Sequence, residues 1–91
     1  MTPKFPLGQC VATPGALQAL AAAGQAPGAF LERHARGDWG LVDAEDAQAN
    51  EDALRDGDRL LSAYQTRLGT RLWVLTEHDR SATTILLPAE Y

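Results

Sequence analysis

Long apolar runs, cysteines, histidines and clustered bases are all scarce in this chain, and each scarcity removes a class of protein. No stretch of the 91 residues approaches the ~20 consecutive apolar positions that a membrane-spanning helix needs. The opening segment, residues 1–15, has one lysine and no apolar block of signal-peptide length, so a soluble, unexported, cytoplasmic protein is expected. A lone cysteine, Cys10, excludes an internal disulfide framework and reads as a buried small hydrophobe within an apolar run rather than a nucleophile.

Two histidines and one cysteine in unrelated segments are too few for the three or four converging ligands of a metal site. The paired-cysteine, HExxH, Gly-rich phosphate-loop and GxSxG patterns are absent, so no metal and no cofactor is expected. Eight bases against twelve acids leave a net charge of −4, which argues against direct binding to nucleic-acid phosphates.

What is present is organised around residues 70–88. Arg71 to Glu77 carries Leu72, Trp73, Val74 and Leu75, and Ala82 to Leu87 carries Thr83, Thr84, Ile85 and Leu86, residue types that suit a pleated sheet. The polar link between them, Glu77 to Ser81, makes the pair a hairpin. Alternation puts Leu72 and Val74 on one face and Trp73 and Leu75 on the other, so both faces are apolar. Such a strand belongs in the middle of a sheet, with helices on one side and some second cover on the other, for which a homodimer mate is one candidate.

Before the hairpin, Leu7 to Ala12 reads as a first strand or an extended lead-in beside it. Thr13 is an N-cap and Pro14 a first helical residue, opening a helix from Pro14 to Ala23 that Gly24 ends. A second helix is expected at about 28–36, with Phe30, Leu31 and Ala35 buried and Gly37 as its stop; His34 on that face reads as a hydrogen-bonded residue at the core's edge. Trp39, in a Gly-flanked turn, is expected to close one end of the core with its indole N–H reaching a partner, and is also a candidate surface anchor. Asp43 caps a third helix, 44–56, and residues 58–66 form the strand leading into the hairpin. The expected fold is a single α+β domain: a short N-terminal strand, three helices, then a three-stranded antiparallel β-meander packed against them.

Charge is polarised along the chain. Residues 38–58 hold eight acids and only Arg55, a net −7, while the remainder is +3. An acidic helix face carrying Asp43, Glu45, Asp46, Glu51, Asp52 and Asp56, together with Trp39 and Trp73, is the candidate interaction surface, since opposed potentials speed and select protein encounters. The side chains able to do acid–base or nucleophilic chemistry are Tyr64, His78, Arg80 and Thr84, with Glu77, Asp79 and Ser81 in the same loop.

The blocks LGQCVATPGALQAL, GDWG, LLSAY and LWVLTEHDRSATTILLPAEY together resemble a small bacterial family of plasmids and mobile elements, sometimes labelled "type I restriction endonuclease subunit M" or "plasmid-related protein". That resemblance implies a mobile-element accessory protein; 91 residues hold no methyltransferase domain, so the restriction label implies genomic neighbourhood. The order of helices before an antiparallel sheet also resembles the compact ribonucleases of the barnase, colicin and RelE-like kind, which would make Tyr64, His78, Arg80 and Thr84 the catalytic set. Three functions follow as expectations: a protein–protein interaction module, a small ribonuclease or toxin-like enzyme, and a DNA-backbone mimic that blocks a nucleic-acid-binding protein.

Overall fold

The computed structural model describes residues 2–91. Its elements run β1 (Gln9–Ala12), α1 (Pro14–Ala23), α2 (Pro27–Ala35), α3 (Ala44–Asp56), β2 (Leu60–Gln65), β3 (Arg71–Thr76), β4 (Ala82–Leu86) and a final 3₁₀ turn at Pro88–Glu90. The chain is α+β, and β3 and β4, the two arms of the expected hairpin, occupy the middle of the sheet.

The sheet itself differs from a three-stranded antiparallel meander. It has four strands in the order β1-β4-β3-β2, with β1 running parallel to β4 and the other pairs antiparallel. Local patterning cannot show this parallel pairing, because it joins Gln9 to Ala82 across most of the chain. It forms because Gly8 turns the lead-in at a positive φ of 67° and passes tightly against the Arg80 and Ser81 carbonyls, where a Cβ would overlap both.

Helix boundaries follow local chemistry. The Thr13 hydroxyl accepts from the Ala16 amide and the Asp43 carboxylate from the Asp46 amide, each satisfying a first-turn N–H, while Gly24 and Gly57 end α1 and α3 in the left-handed region. Helix α2 has only Pro27 to open it and no side-chain cap, and it starts one residue before the expected position.

Two apolar clusters fill the helix side of the sheet. One joins Ala16, Leu20 and Phe30 to Tyr64, Leu72, Val74 and Ile85; the other joins Phe5, Trp39 and Ala53 to Leu60. His34 packs on the second, its ring 5.2 Å from Phe5 and 5.8 Å from Trp39. The second sheet face is covered at one corner by the chain's own end: Tyr91 packs edge-on against Trp73 at 5.6 Å, and Leu86 is buried. Glu90 holds that end in place, accepting from the Thr13 hydroxyl and from the Gly15 and Leu87 amides, so a carboxylate sits at the N-terminus of α1, where the helix dipole favours it. Among the described residues, no helix is long and apolar enough to cross a membrane.

Candidate interaction surface and the buried histidine line

The two margins of the sheet are built differently. On β2, the residues whose main-chain groups point away from β3 are Leu61, Ala63 and Gln65, and the first two are taken up. The Asn50 side-chain amide donates to the Leu61 carbonyl at 2.8 Å and its oxygen accepts from the Leu61 amide at 3.1 Å, in the geometry of a further strand. Ala63 donates to the Trp39 carbonyl at 3.1 Å and accepts from the Leu41 amide at 2.7 Å. Gly40 lies between them at φ 72°, so close that a Cβ would overlap the Ala63 carbonyl oxygen.

On β1, Gln9 donates to Ser81 and Thr13 to Ile85, both at 3.0 Å, which fixes the alternation: residues 9, 11 and 13 face β4, and Cys10 and Ala12 direct their N–H and C=O outward. Among the described residues none meets those outward groups. The segment contains no charge and no proline, the usual devices that blunt a strand edge. Beside it, between β1 and α2, lies an apolar groove in two adjoining parts of about 480 and 350 Å³, sharing Cys10, Gly28 and Leu31. Phe5, Leu7 and Ala35 line the first part and Leu17 and Ile85 the second. Val11 and Leu17 are 44% and 49% exposed at its borders.

The margins are connected through the interior. Thr83 donates its hydroxyl to the Leu7 carbonyl at 2.7 Å, so its oxygen accepts from Thr76, also at 2.7 Å. With the Thr76 proton committed, its oxygen accepts from His34 Nε2 at 2.9 Å, and Nδ1 accepts from the Ser62 hydroxyl at 2.6 Å. The line runs from β2 through β3 and β4 to the lead-in of β1, and its order assigns His34 the neutral, Nε2-protonated form. Burial, then the Arg80 charge, pushes the pKa of His34 down to about 4, which keeps the ring neutral. Reading His34 as hydrogen-bonded was right; its position is not at the core's edge but at full burial.

The four candidate catalytic residues do not converge. Tyr64 is buried on the helix face, donates to the Asp38 carbonyl, and has its pKa raised to about 12, chiefly by burial. Thr84 lies on the opposite sheet face, in register with Leu75 and one residue out of phase with buried Thr83. His78 is exposed at the hairpin tip. Arg80 is a staple: at φ 62° it donates to the carbonyls of Ala53, Asp58, Glu77 and His78, closing the C-terminal end of α3 and lying 5.8 Å over the Phe5 ring. Sequence reasoning missed Arg80's role at the end of α3, since the Asp58 and Ala53 carbonyls it meets there lie 22 and 27 residues away. It missed Ser62, Thr76 and Thr83 too, although polar residues at core-facing strand positions were a signal that a lone helical histidine would find them.

The candidate interaction residues separate as well. Trp39, offered as a surface anchor, is only 6% exposed; its indole N–H donates to Glu51 at 2.8 Å and its ring stacks on Phe5, so it closes the core end as its turn position suggested. Trp73 is half-buried under Tyr91. Along α3, Asp43 caps the helix and Asp52 and Asp56 pair with Arg55, while Glu45 and Asp46 stand exposed in the first turn. No group of three or more potential ligands for a metal ion occurs among the described residues. Comparisons with protein-family models, curated proteins and solved structures return no match to this chain.

Proposed function

We propose that this protein acts by binding another protein rather than by catalysing a reaction. One observation carries the reading. Tyr64 and Arg80 are committed to the scaffold and Thr84 lies on the opposite sheet face from Tyr64, while the β1 side leaves main-chain groups and aliphatic surface uncovered. The outward-facing acids of α3 add a field that favours a basic partner and disfavours an acidic one. Open sheet surface continues from Val11 through Thr84 to half-buried Leu75 and Leu61, because the chain's own end shields only the Trp73 corner.

Affinity capture from a bacterial lysate, with the wild-type chain beside Leu75→Lys and a variant neutralised at Glu45, Asp46, Asp52 and Asp56, tests the reading. The expected result is a protein held by the wild type, released by salt and weakened by both variants. Retention of nothing beyond an inert control, or RNA cleavage abolished by His78→Ala with Thr84→Val, would overturn it.

A further inference from the structure

We propose that the groove between β1 and α2 receives an extended segment of a partner protein, which adds to the sheet as a fifth strand antiparallel to β1. The proposal rests on the interaction-module reading and gives it a place and a ligand chemistry. The outward N–H and C=O of Cys10 and Ala12 form two donor–acceptor sets on one edge, and main chain in extended form meets such sets in regular alternation. The opposite margin is closed by Asn50 and the Trp39–Leu41 backbone over Leu61 and Ala63 and is open at Gln65, so β1 is the longer free edge and the one with a groove beside it.

The groove's lining sets the side chains. Cys10 and Ala12 lie on the helix face, in register with Thr83 and Ile85, so every second residue of an added strand projects toward α2. Two aliphatic residues, one position apart, fill the two parts of the groove: the first against Leu17 and Ile85, the second against Leu31, Ala35 and Phe5. Charge adds an acidic residue to the pattern. Arg36 lines the groove at the Phe5 end and Lys4 is exposed nearby, and neither has a salt-bridge partner among the described residues. Glu32 is the acid on that rim, so the end is net positive. A strand antiparallel to β1 brings its C-terminal part there, where an acidic side chain two residues beyond the second aliphatic finds Arg36.

Size argues for a segment over a second copy of the whole chain. Four strand residues span about 13 Å, and a strip of that length about 10 Å wide is on the order of 130 Å², well short of the ~800 Å² per partner typical of a stable interface. Short strand addition into a preformed groove suits reversible peptide recognition.

The probe is a fluorescent synthetic peptide with two valines separated by one threonine and an aspartate two residues after the second valine. Binding is followed by anisotropy with the wild-type chain and with Cys10→Pro. That variant removes the outward Cys10 N–H and leaves the amides of residues 9, 11 and 13, which bond to β4, in place. The expected results are saturable binding, a loss of about tenfold or more in Cys10→Pro at unchanged circular dichroism and melting, and a similar loss when the peptide amide facing Cys10 is N-methylated. Peptide reversal and Arg36→Glu weaken binding as well. Affinity unchanged by Cys10→Pro or by N-methylation overturns the proposal. So does a concentration-dependent dimer that Cys10→Pro disperses, because a second copy then fills the edge. Capture of a lysate protein undiminished by Cys10→Pro overturns the groove while leaving the broader binding function standing.

Discussion

The two edges of this sheet solve the same problem in opposite ways. Along β2, the side-chain amide of Asn50 and the backbone around Gly40 supply the hydrogen bonds that a neighbouring strand would. Along β1, nothing in the described chain does so, and the adjoining surface is apolar. An exposed edge invites uncontrolled pairing, and proteins ordinarily blunt it. Closing one edge with a left-handed glycine and a buried amide while leaving the other bare is the contrast on which the proposed strand addition at β1 rests.

The largest effect expected from disturbing this contrast comes at Gly40. Gly40→Ala places a Cβ on the Ala63 carbonyl and a non-glycine residue at positive φ, so the 39–41 segment must leave the edge. Loss of its two hydrogen bonds plus the backbone cost amounts to about 3 kcal/mol, read as a lower urea midpoint. Acid should act nearly as strongly through the line that joins the two edges. His34 has a pKa of about 4 in the fold against 6.5 when free, so between these values the unfolded chain binds the extra proton and stability falls as pH falls. The contribution is fully present above pH 6.5, and about 3 kcal/mol is gone below pH 4. Urea titrations from pH 7 to 4 follow it, and His34→Gln should flatten that slope while lowering stability at neutral pH.

Smaller changes sharpen the comparison. Asn50→Ala strips both partners from the Leu61 main chain and should cost about 2 kcal/mol, with faster hydrogen exchange at Leu61 as the local signature. At the bare edge, Cys10→Pro should cost less than about 1 kcal/mol, since its N–H points to solvent. Equal losses at Asn50 and Cys10 in the same denaturation series would show that the two edges are not distinct.

Much of the scaffold was legible along the chain. Helices α1 and α3 begin and end at the residues that Thr13, Pro14, Gly24, Asp43 and Gly57 indicate, because capping is chemistry between near neighbours. The apolar runs flanking Glu77 to Ser81 likewise specify a hairpin and its central place. The candidate site was far less legible. Trp39 was expected to close one end of the core and does, whereas Arg80 looked available as a turn residue and is absorbed by the Ala53 and Asp58 carbonyls. Patterning over Leu7 to Ala12 suggested a lead strand beside the hairpin, and not which arm it joins or in which direction.

Sequence alone therefore determined the local elements, the polarised charge and the apolar middle of the sheet, since hydrogen bonds a few residues apart and side-chain alternation decide these. Tertiary structure decided which edge is closed, where His34 finds its hydroxyls, and that β1 lies parallel to β4 beside an open groove. Those features depend on groups separated by tens of residues, which meet only when burial of the two apolar clusters brings them together.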